Sequence, residues 1–117
     1  MSKISRTDPG TILSKAVEYH GFVYLQGVTA KDYSKDIKGQ TAEVLAQIDE
    51  LLEAHGTDKT RILSATIYLA DMKDYASMNA VWDNWVPQGE TPARATVEAR
   101  LANPAYRVEM QVVAAAG

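Results

Sequence analysis

The sequence predicts a two-layer α+β sandwich, in which two helices cover one face of a mixed β-sheet. Two segments carry apolar residues at helical spacing, one around 41–55 and one from 75 to about 85. Five other segments are short and either alternate in polarity or are rich in β-branched and aromatic residues. Their order along the chain is β-β-α-β-α-β-β. Two helices that cover the same apolar sheet face produce two layers.

The first two strands form a predicted N-terminal hairpin. Residues 11–20 make its first strand, His20 and Gly21 make the turn, and the β-branched and aromatic run 22–27 makes its second strand. The polar and irregular segment 28–39 predicts a loop. Its length fits either a solvated crossover or a functional lid.

The middle of the chain alternates helices with a central strand. The first helix, 41–55, is followed by Gly56, a typical C′ residue. Segment 61–69 alternates in polarity, which predicts a strand. Its apolar face consists of four residues: Leu63, Ala65, Ile67 and Leu69. Asp74 is predicted to cap the second helix, 75–85, whose Met and Trp stripe packs into the core.

The last two predicted strands, 93–101 and 107–114, form a hairpin that carries candidate functional residues. Alternation turns Arg94, Thr96 and Glu109 away from the apolar, helix-covered face. The resulting polar face is either solvated, with opposite charges paired across strands, or buried against another subunit as a recess for a small anion. Arginine suits the second interpretation because its planar fork binds a carboxylate. Spacing alone leaves both interpretations open.

Composition excludes several classes of function. The chain of 117 residues predicts one domain, 1–117, with one core. It has no cysteine, so disulfides, thiol nucleophiles and thiolate metal sites are excluded, and its two histidines lack a third ligand at metal-site spacing. A net charge of −3 argues against nucleic-acid partners. Neither a secretory signal nor the roughly 20 apolar residues of a membrane span are found, which predicts a cytoplasmic protein without membrane contact.

Several segments together carry a family resemblance. Pro-Ala-Arg-Ala-Thr-Val-Glu-Ala at 92–99, Leu-Ala-Asn-Pro at 101–104 and Val-Glu-Met at 108–110 resemble the C-terminal signature of the Rid/YjgF family. Further segments match this family in the same order: 23–27, 40–52, 65–72 and 79–82. The chain is therefore identified as a member of a divergent subgroup, over essentially its whole length after Thr11.

This resemblance implies a chorismate-mutase-like fold and a homotrimer with three clefts between subunits. Many members hydrolyse reactive 2-imino and 2-enamino acids, such as 2-aminoacrylate, to 2-keto acids and ammonia without metal or cofactor. In that scheme Arg94 binds the substrate carboxylate and Glu109 positions or activates the attacking water. Backbone groups near Gly27 and Thr96 complete the substrate-binding pocket, and Asn79 lies beside it.

Two departures from the family pattern bear on the predicted activity. Active deaminases of the best-known subgroup carry a cysteine two residues after the arginine, where this chain has Thr96. They also carry a tyrosine in a Gly-Pro-Tyr segment before the first strand, which Pro9, Gly10 and Thr11 do not supply. Hydrolytic deamination is the leading prediction. The alternatives are non-catalytic binding of small carboxylate metabolites and RNA cleavage, and the acidic composition argues against RNA cleavage.

Overall fold

A computed structural model describes residues 3–117, so Met1 and Ser2 of the predicted domain 1–117 lie outside the described residues. Within that range, neither helix is both long and apolar enough to cross a bilayer. The elements follow in chain order: β1 (Ser5–Thr7), β2 (Ala16–Tyr19), β3 (Phe22–Leu25), β4 (Val28–Thr29), α1 (Ile37–Ala54), β5 (Ile62–Leu69), α2 (Tyr75–Trp85), β6 (Ala93–Glu98) and β7 (Val108–Ala115).

The strands form one mixed sheet with the two helices on one face, which confirms the predicted α+β sandwich. The strand order is β1-β2-β3-β7-β5-β6, and the short β4 pairs with β7 beyond the end of β3. β5 and β6 run parallel and are joined through α2, whereas the other neighbouring strands are antiparallel.

The core lies between the helix layer and the sheet. The helices contribute Val44, Ile48, Leu52, Met78 and Trp82, all of which are buried. The sheet contributes alternate residues of its central strands: Val23, Leu25, Ala65, Ile67, Leu69, Val108, Met110 and Val112. Complete burial of one of the larger apolar side chains contributes about 1.5–3 kcal/mol, so this layer is the main source of stability.

The N-terminal half differs from the prediction at its boundaries. Only the end of segment 11–20 is a strand, β2, and the unpredicted β1 pairs with it. The predicted loop 28–39 contains β4 and the start of α1. The helix begins early because the Asp36 side chain accepts a hydrogen bond from the backbone N–H of Gly39 at 2.8 Å and so caps it.

Two predicted turns in this half are confirmed. His20 and Gly21 join β2 to β3, and both have positive φ angles, 52° and 82°, as a type I′ hairpin turn requires. Gly56 follows the end of α1 with φ of 70°, the left-handed conformation expected of a C′ residue. The left-handed backbone conformation therefore favours glycine at Gly21 and Gly56.

The predicted C-terminal hairpin is wrong, because β5 lies between β6 and β7. The chain leaves β5, crosses over the sheet as α2 and returns in the same direction, so β6 pairs with β5 in parallel. Segment 99–107 then reverses the chain, and β7 enters on the other side of β5, where it joins β5 to β3.

The predicted apolar face of β5 is wrong at its first residues. Ile62 is buried, whereas Leu63 is 45% exposed. Ile62 pairs with Ala114 and Ser64 pairs with the adjacent Val113, so Leu63 is an extra residue of β5 that has no counterpart in β7. This β-bulge shifts the alternation by one residue, and the predicted pattern holds from Ala65 onward.

Gln40 is a fully buried polar residue of α1 that fixes two loops. Its Nε2 donates to the carbonyls of Lys35 and Ala105 at 3.0 Å and of Tyr33 at 3.2 Å. Its Oε1 accepts from the backbone N–H of Arg107 at 2.9 Å. Because buried polar groups require partners, this amide holds segment 99–107, which joins the two strands that carry Arg94 and Glu109.

Replacement of this amide tests its structural role. Gln40→Met keeps the side-chain length but leaves the Arg107 N–H and several carbonyls without a buried partner. We expect a loss of about 2–4 kcal/mol in the free energy of unfolding, measured by urea denaturation at one protein concentration. Gln88→Met, at an exposed loop position, should change it by less than about 0.5 kcal/mol. Equal stability of both variants would contradict this role for Gln40.

Candidate active site

The start of α2 is fixed by side chains other than the predicted cap. A 3₁₀ turn, Met72–Asp74, leads directly into the helix, and Asp74 makes no capping hydrogen bond. Asp74 is instead buried, with its Oδ1 3.2 Å from Nη2 of Arg107. Asp71 caps the turn by accepting from the backbone N–H of Lys73 at 2.9 Å, and this hydrogen bond lowers the pKa of the Asp71 carboxyl.

The orientation of β6 is the reverse of the prediction. The parallel register places Arg94 beside Ala65 and Thr96 beside Ile67, both of which are core residues under the helices. Because residues in register share a sheet face, Arg94 and Thr96 also face the helix layer, and Val97 is exposed on the open face. The prediction failed because β6 is an edge strand, whose helix side is only partly covered and therefore accommodates polar side chains.

Arg94 is held against α2 by neutral groups. Its Nη1 donates to Oδ1 of Asn79 at 2.7 Å, and its Nη2 donates to Oη of Tyr75 at 3.0 Å. The guanidinium carbon lies 5.3 Å from the ring centre of Trp82 and 5.8 Å from that of Tyr75. Among residues 3–117, no carboxylate lies within ion-pair distance of Arg94. Its positive charge is therefore fixed in position but not neutralised, and it keeps unused N–H donors.

Thr96 presents a second unused group on the same face. Its Oγ1 is buried and has no hydrogen-bond partner in the described part of the chain. A buried hydroxyl left without a partner costs about 1–3 kcal/mol. Arg94 and Thr96 are two residues apart on one strand, so both lie on the same side of the sheet. Together they offer a cation and a hydroxyl to a ligand.

Glu109 lies on the opposite, open face of the sheet. It pairs with Thr29 of β4 and Tyr68 of β5, and its carboxylate lies so close to Gly27 that a Cβ there would overlap with it. A side chain at this position would therefore displace the Glu109 carboxylate. Gly27, Tyr68, Glu109 and Arg100 line an open recess of about 450 Å³. Within residues 3–117, the Glu109 carboxylate has no hydrogen bond or ion pair.

The five predicted site residues and their neighbours therefore form two groups on opposite faces. The arginine group is Arg94, Asn79 and Thr96, with Tyr75 and Trp82; the glutamate group is Glu109, Gly27 and Arg100. Strand spacing and register place the Cα atoms of Arg94 and Glu109 about 14 Å apart, and their side chains point in opposite directions. A single subunit therefore does not bring Arg94 and Glu109 into contact.

Tyr75 and Trp82 were not among the predicted site residues, because the apolar stripe of the second helix predicts core packing. Trp82 is indeed buried, but its ring also packs against the guanidinium of Arg94. The signal was present in the spacing: Tyr75, Asn79 and Trp82 are separated by four and three residues. Residues at this spacing lie on one face of a helix, so Tyr75 and Trp82 are expected to lie at the same site as Asn79.

The fold and the two polar groups define a small α+β protein of the chorismate-mutase-like class. A family model described as Endoribonuclease L-PSP matches residues 4–116, nearly the whole chain. The chain belongs to this family, which is also called the Rid/YjgF family.

Individual relatives support this membership. A RutC family protein from Haemophilus ducreyi is 47% identical over 112 residues, which cover 96% of each chain. The crystal structure of a YjgF-family protein from Neisseria meningitidis has 47% identity and a TM-score of 0.95, covering 98% of this chain and 96% of that one. The chloroplastic Reactive Intermediate Deaminase A of Arabidopsis thaliana is 30% identical over 107 residues, 86% of this chain and 57% of that protein.

Proposed function

We propose that the protein binds small 2-imino and 2-enamino acids through their carboxylate and hydrolyses them to 2-keto acids and ammonia. The observation that carries this proposal is the Arg94 guanidinium, which only neutral groups hold and which has no ion pair within residues 3–117. Its remaining N–H groups suit a carboxylate. The name of the Arabidopsis relative, a reactive intermediate deaminase, supports this activity at the level of the family.

The pocket forms between subunits of a homotrimer, with the arginine group of one copy facing the glutamate group of the next. The separation of the two groups within one chain supports this arrangement. So does the open sheet face, where Phe22, Tyr24 and Val97 are exposed. A neighbouring subunit would cover these apolar side chains and exclude water from the recess at Glu109.

Hydrolysis in this pocket needs little more than fixed positions for the carboxylate and one water. A 2-enamino acid first gives the imine by losing a proton from nitrogen and gaining one at C3. With the carboxylate on Arg94, Glu109 of the adjacent copy takes a proton from the water as its oxygen adds to the C=N carbon, and the nitrogen takes a first proton from solvent. A neutral tetrahedral carbinolamine results. Its nitrogen gains a second proton, the C–N bond breaks with its electron pair on nitrogen, and the hydroxyl loses its proton to solvent to form the keto group. Because the imine is already electrophilic, positioning supplies much of the rate.

The remaining predicted residues complete the pocket. Thr96 supplies its backbone N–H and its unpaired hydroxyl, Gly27 lets backbone approach the ligand closely, and Asn79 keeps the guanidinium in place. Non-catalytic binding of small carboxylate metabolites is the second candidate. This candidate is favoured by Thr96, which stands where active deaminases of the best-known subgroup carry a cysteine. Arg94 would bind the carboxylate of the metabolite in the same way.

Removal of the guanidinium tests the carboxylate site. Arg94→Ala should bind pyruvate at least about 2 kcal/mol more weakly than wild type in titration calorimetry, because a charge-assisted pair in a desolvated site is lost. Its fold should persist, since no ion pair within residues 3–117 depends on Arg94. Arg6→Ala, on the exposed strand β1, is the matched control and should bind normally. Equal affinity of the wild type and Arg94→Ala would exclude Arg94 as the carboxylate ligand.

Turnover is tested with 2-imino acids that an amino-acid oxidase generates in the assay mixture. Semicarbazide traps the imine that remains, so that imine loss is measured as a decrease in the trapped product. The wild-type protein should accelerate imine loss for at least one small or medium side chain. Glu109→Gln should bind pyruvate but lower the rate about 100-fold or more, because the amide keeps the shape of the carboxylate without its basicity. Glu90→Gln, in an exposed loop, should match wild type. Binding without acceleration for any side chain would favour the non-catalytic binder.

A further inference from the structure

Tyr75 occupies a position that core packing does not explain. It is the first residue of α2 and is 40% exposed, although the stripe to which it belongs is otherwise largely buried. Its hydroxyl accepts a hydrogen bond from Nη2 of Arg94 at 3.0 Å. The phenol therefore lies beside the charged group of the site and remains open to solvent.

We propose that the Tyr75 hydroxyl contacts the group on C2 of a ligand bound to Arg94 and donates a hydrogen bond to it. That group is the nitrogen of a 2-imino acid or the oxygen of a 2-keto acid. The inference rests on the proposed role of Arg94 in binding the carboxylate.

The hydrogen bonds around Tyr75 leave its proton available. The oxygen accepts from Arg94, so its own hydrogen points elsewhere, and within residues 3–117 no acceptor takes it. A neutral phenol is both donor and acceptor. The hydroxyl can therefore accept a hydrogen bond from the guanidinium and donate one to a ligand at the same time.

Distances favour the C2 group over the carboxylate as the partner. The two hydrogens of Nη2 diverge by about 120°, so a carboxylate oxygen on the second hydrogen lies about 5 Å from Oη of Tyr75. That gap is too long for a direct hydrogen bond. The polar atom on C2 lies about half of this distance from the carboxylate oxygen. It can therefore come within hydrogen-bond distance of Oη of Tyr75.

This contact gives Tyr75 a defined part in turnover. The proton moves from Oη to the nitrogen of the carbinolamine, and the C–N electron pair then leaves with ammonia. The negative charge that remains on Oη is next to the guanidinium of Arg94, which stabilises it. Tyr75 then takes up a proton from solvent. Glu109 releases to solvent the proton that it took from the attacking water.

Two ligands that differ only at C2 separate this contact from an indirect effect on Arg94. Tyr75→Phe keeps the ring against the guanidinium and removes only the hydroxyl. We expect its Kd for pyruvate to rise about tenfold or more, and its Kd for propionate, which has no polar group on C2, to stay within about twofold. Tyr33→Phe, an exposed tyrosine in the loop before α1, is the matched control and should leave both constants unchanged.

The possible results are distinguishable. Unchanged pyruvate affinity, or equal weakening of pyruvate and propionate, would overturn the proposal, the latter because Tyr75 would then act only by positioning Arg94. A crystal structure with pyruvate gives a second test: a keto oxygen within about 3.2 Å of Oη supports the contact, and one beyond about 4 Å overturns it. Failure of the proposed function would instead show as normal pyruvate binding by Arg94→Ala.

Discussion

The parallel pairing of β6 with β5 is the constraint on which the site depends. It requires a crossover, and that crossover is α2, which passes over the edge strand and carries Tyr75, Asn79 and Trp82. The register then directs Arg94 toward these residues. Glu109 lies between Val108 and Met110, which are buried under the helices, so alternation along β7 turns it to the opposite face. The register of β6 and the alternation of β7 together place the cation and the carboxylate on opposite faces.

The arginine group combines stability with an unused charge. Aromatic rings and an amide oxygen hold the Arg94 guanidinium without neutralising it, and the nearby Thr96 hydroxyl is buried without a partner in the described part of the chain. Local features that work against stability are typical of functional sites. The neighbouring segments are held by the hydrogen bonds of the Gln40 amide and by the ion pair between Asp74 and Arg107. These contacts support the two strands that carry the candidate residues.

The sequence predicted the fold class because the apolar patterns of α1, β5 and α2 are long and regular. It could not predict which strands are neighbours, since pairing of β6 with β5 rather than β7 depends on a crossover. The inverted orientation of Arg94 followed from that error, because apolar Ala95 and Val97 suggested a core face on a strand that lies at the sheet edge. The identity of the site residues came from a resemblance, and their division into two groups required the structure.

The central claim is that Arg94 of one subunit and Glu109 of another serve the same pocket. Differently tagged Arg94→Ala and Glu109→Gln chains, each inactive alone, can be expressed together and mixed assemblies purified. A trimer containing both chains has one of its three pockets with both residues intact, so the purified mixed assemblies should recover about a third of wild-type imine hydrolysis. Mixed assemblies that are no more active than either variant alone would contradict the claim.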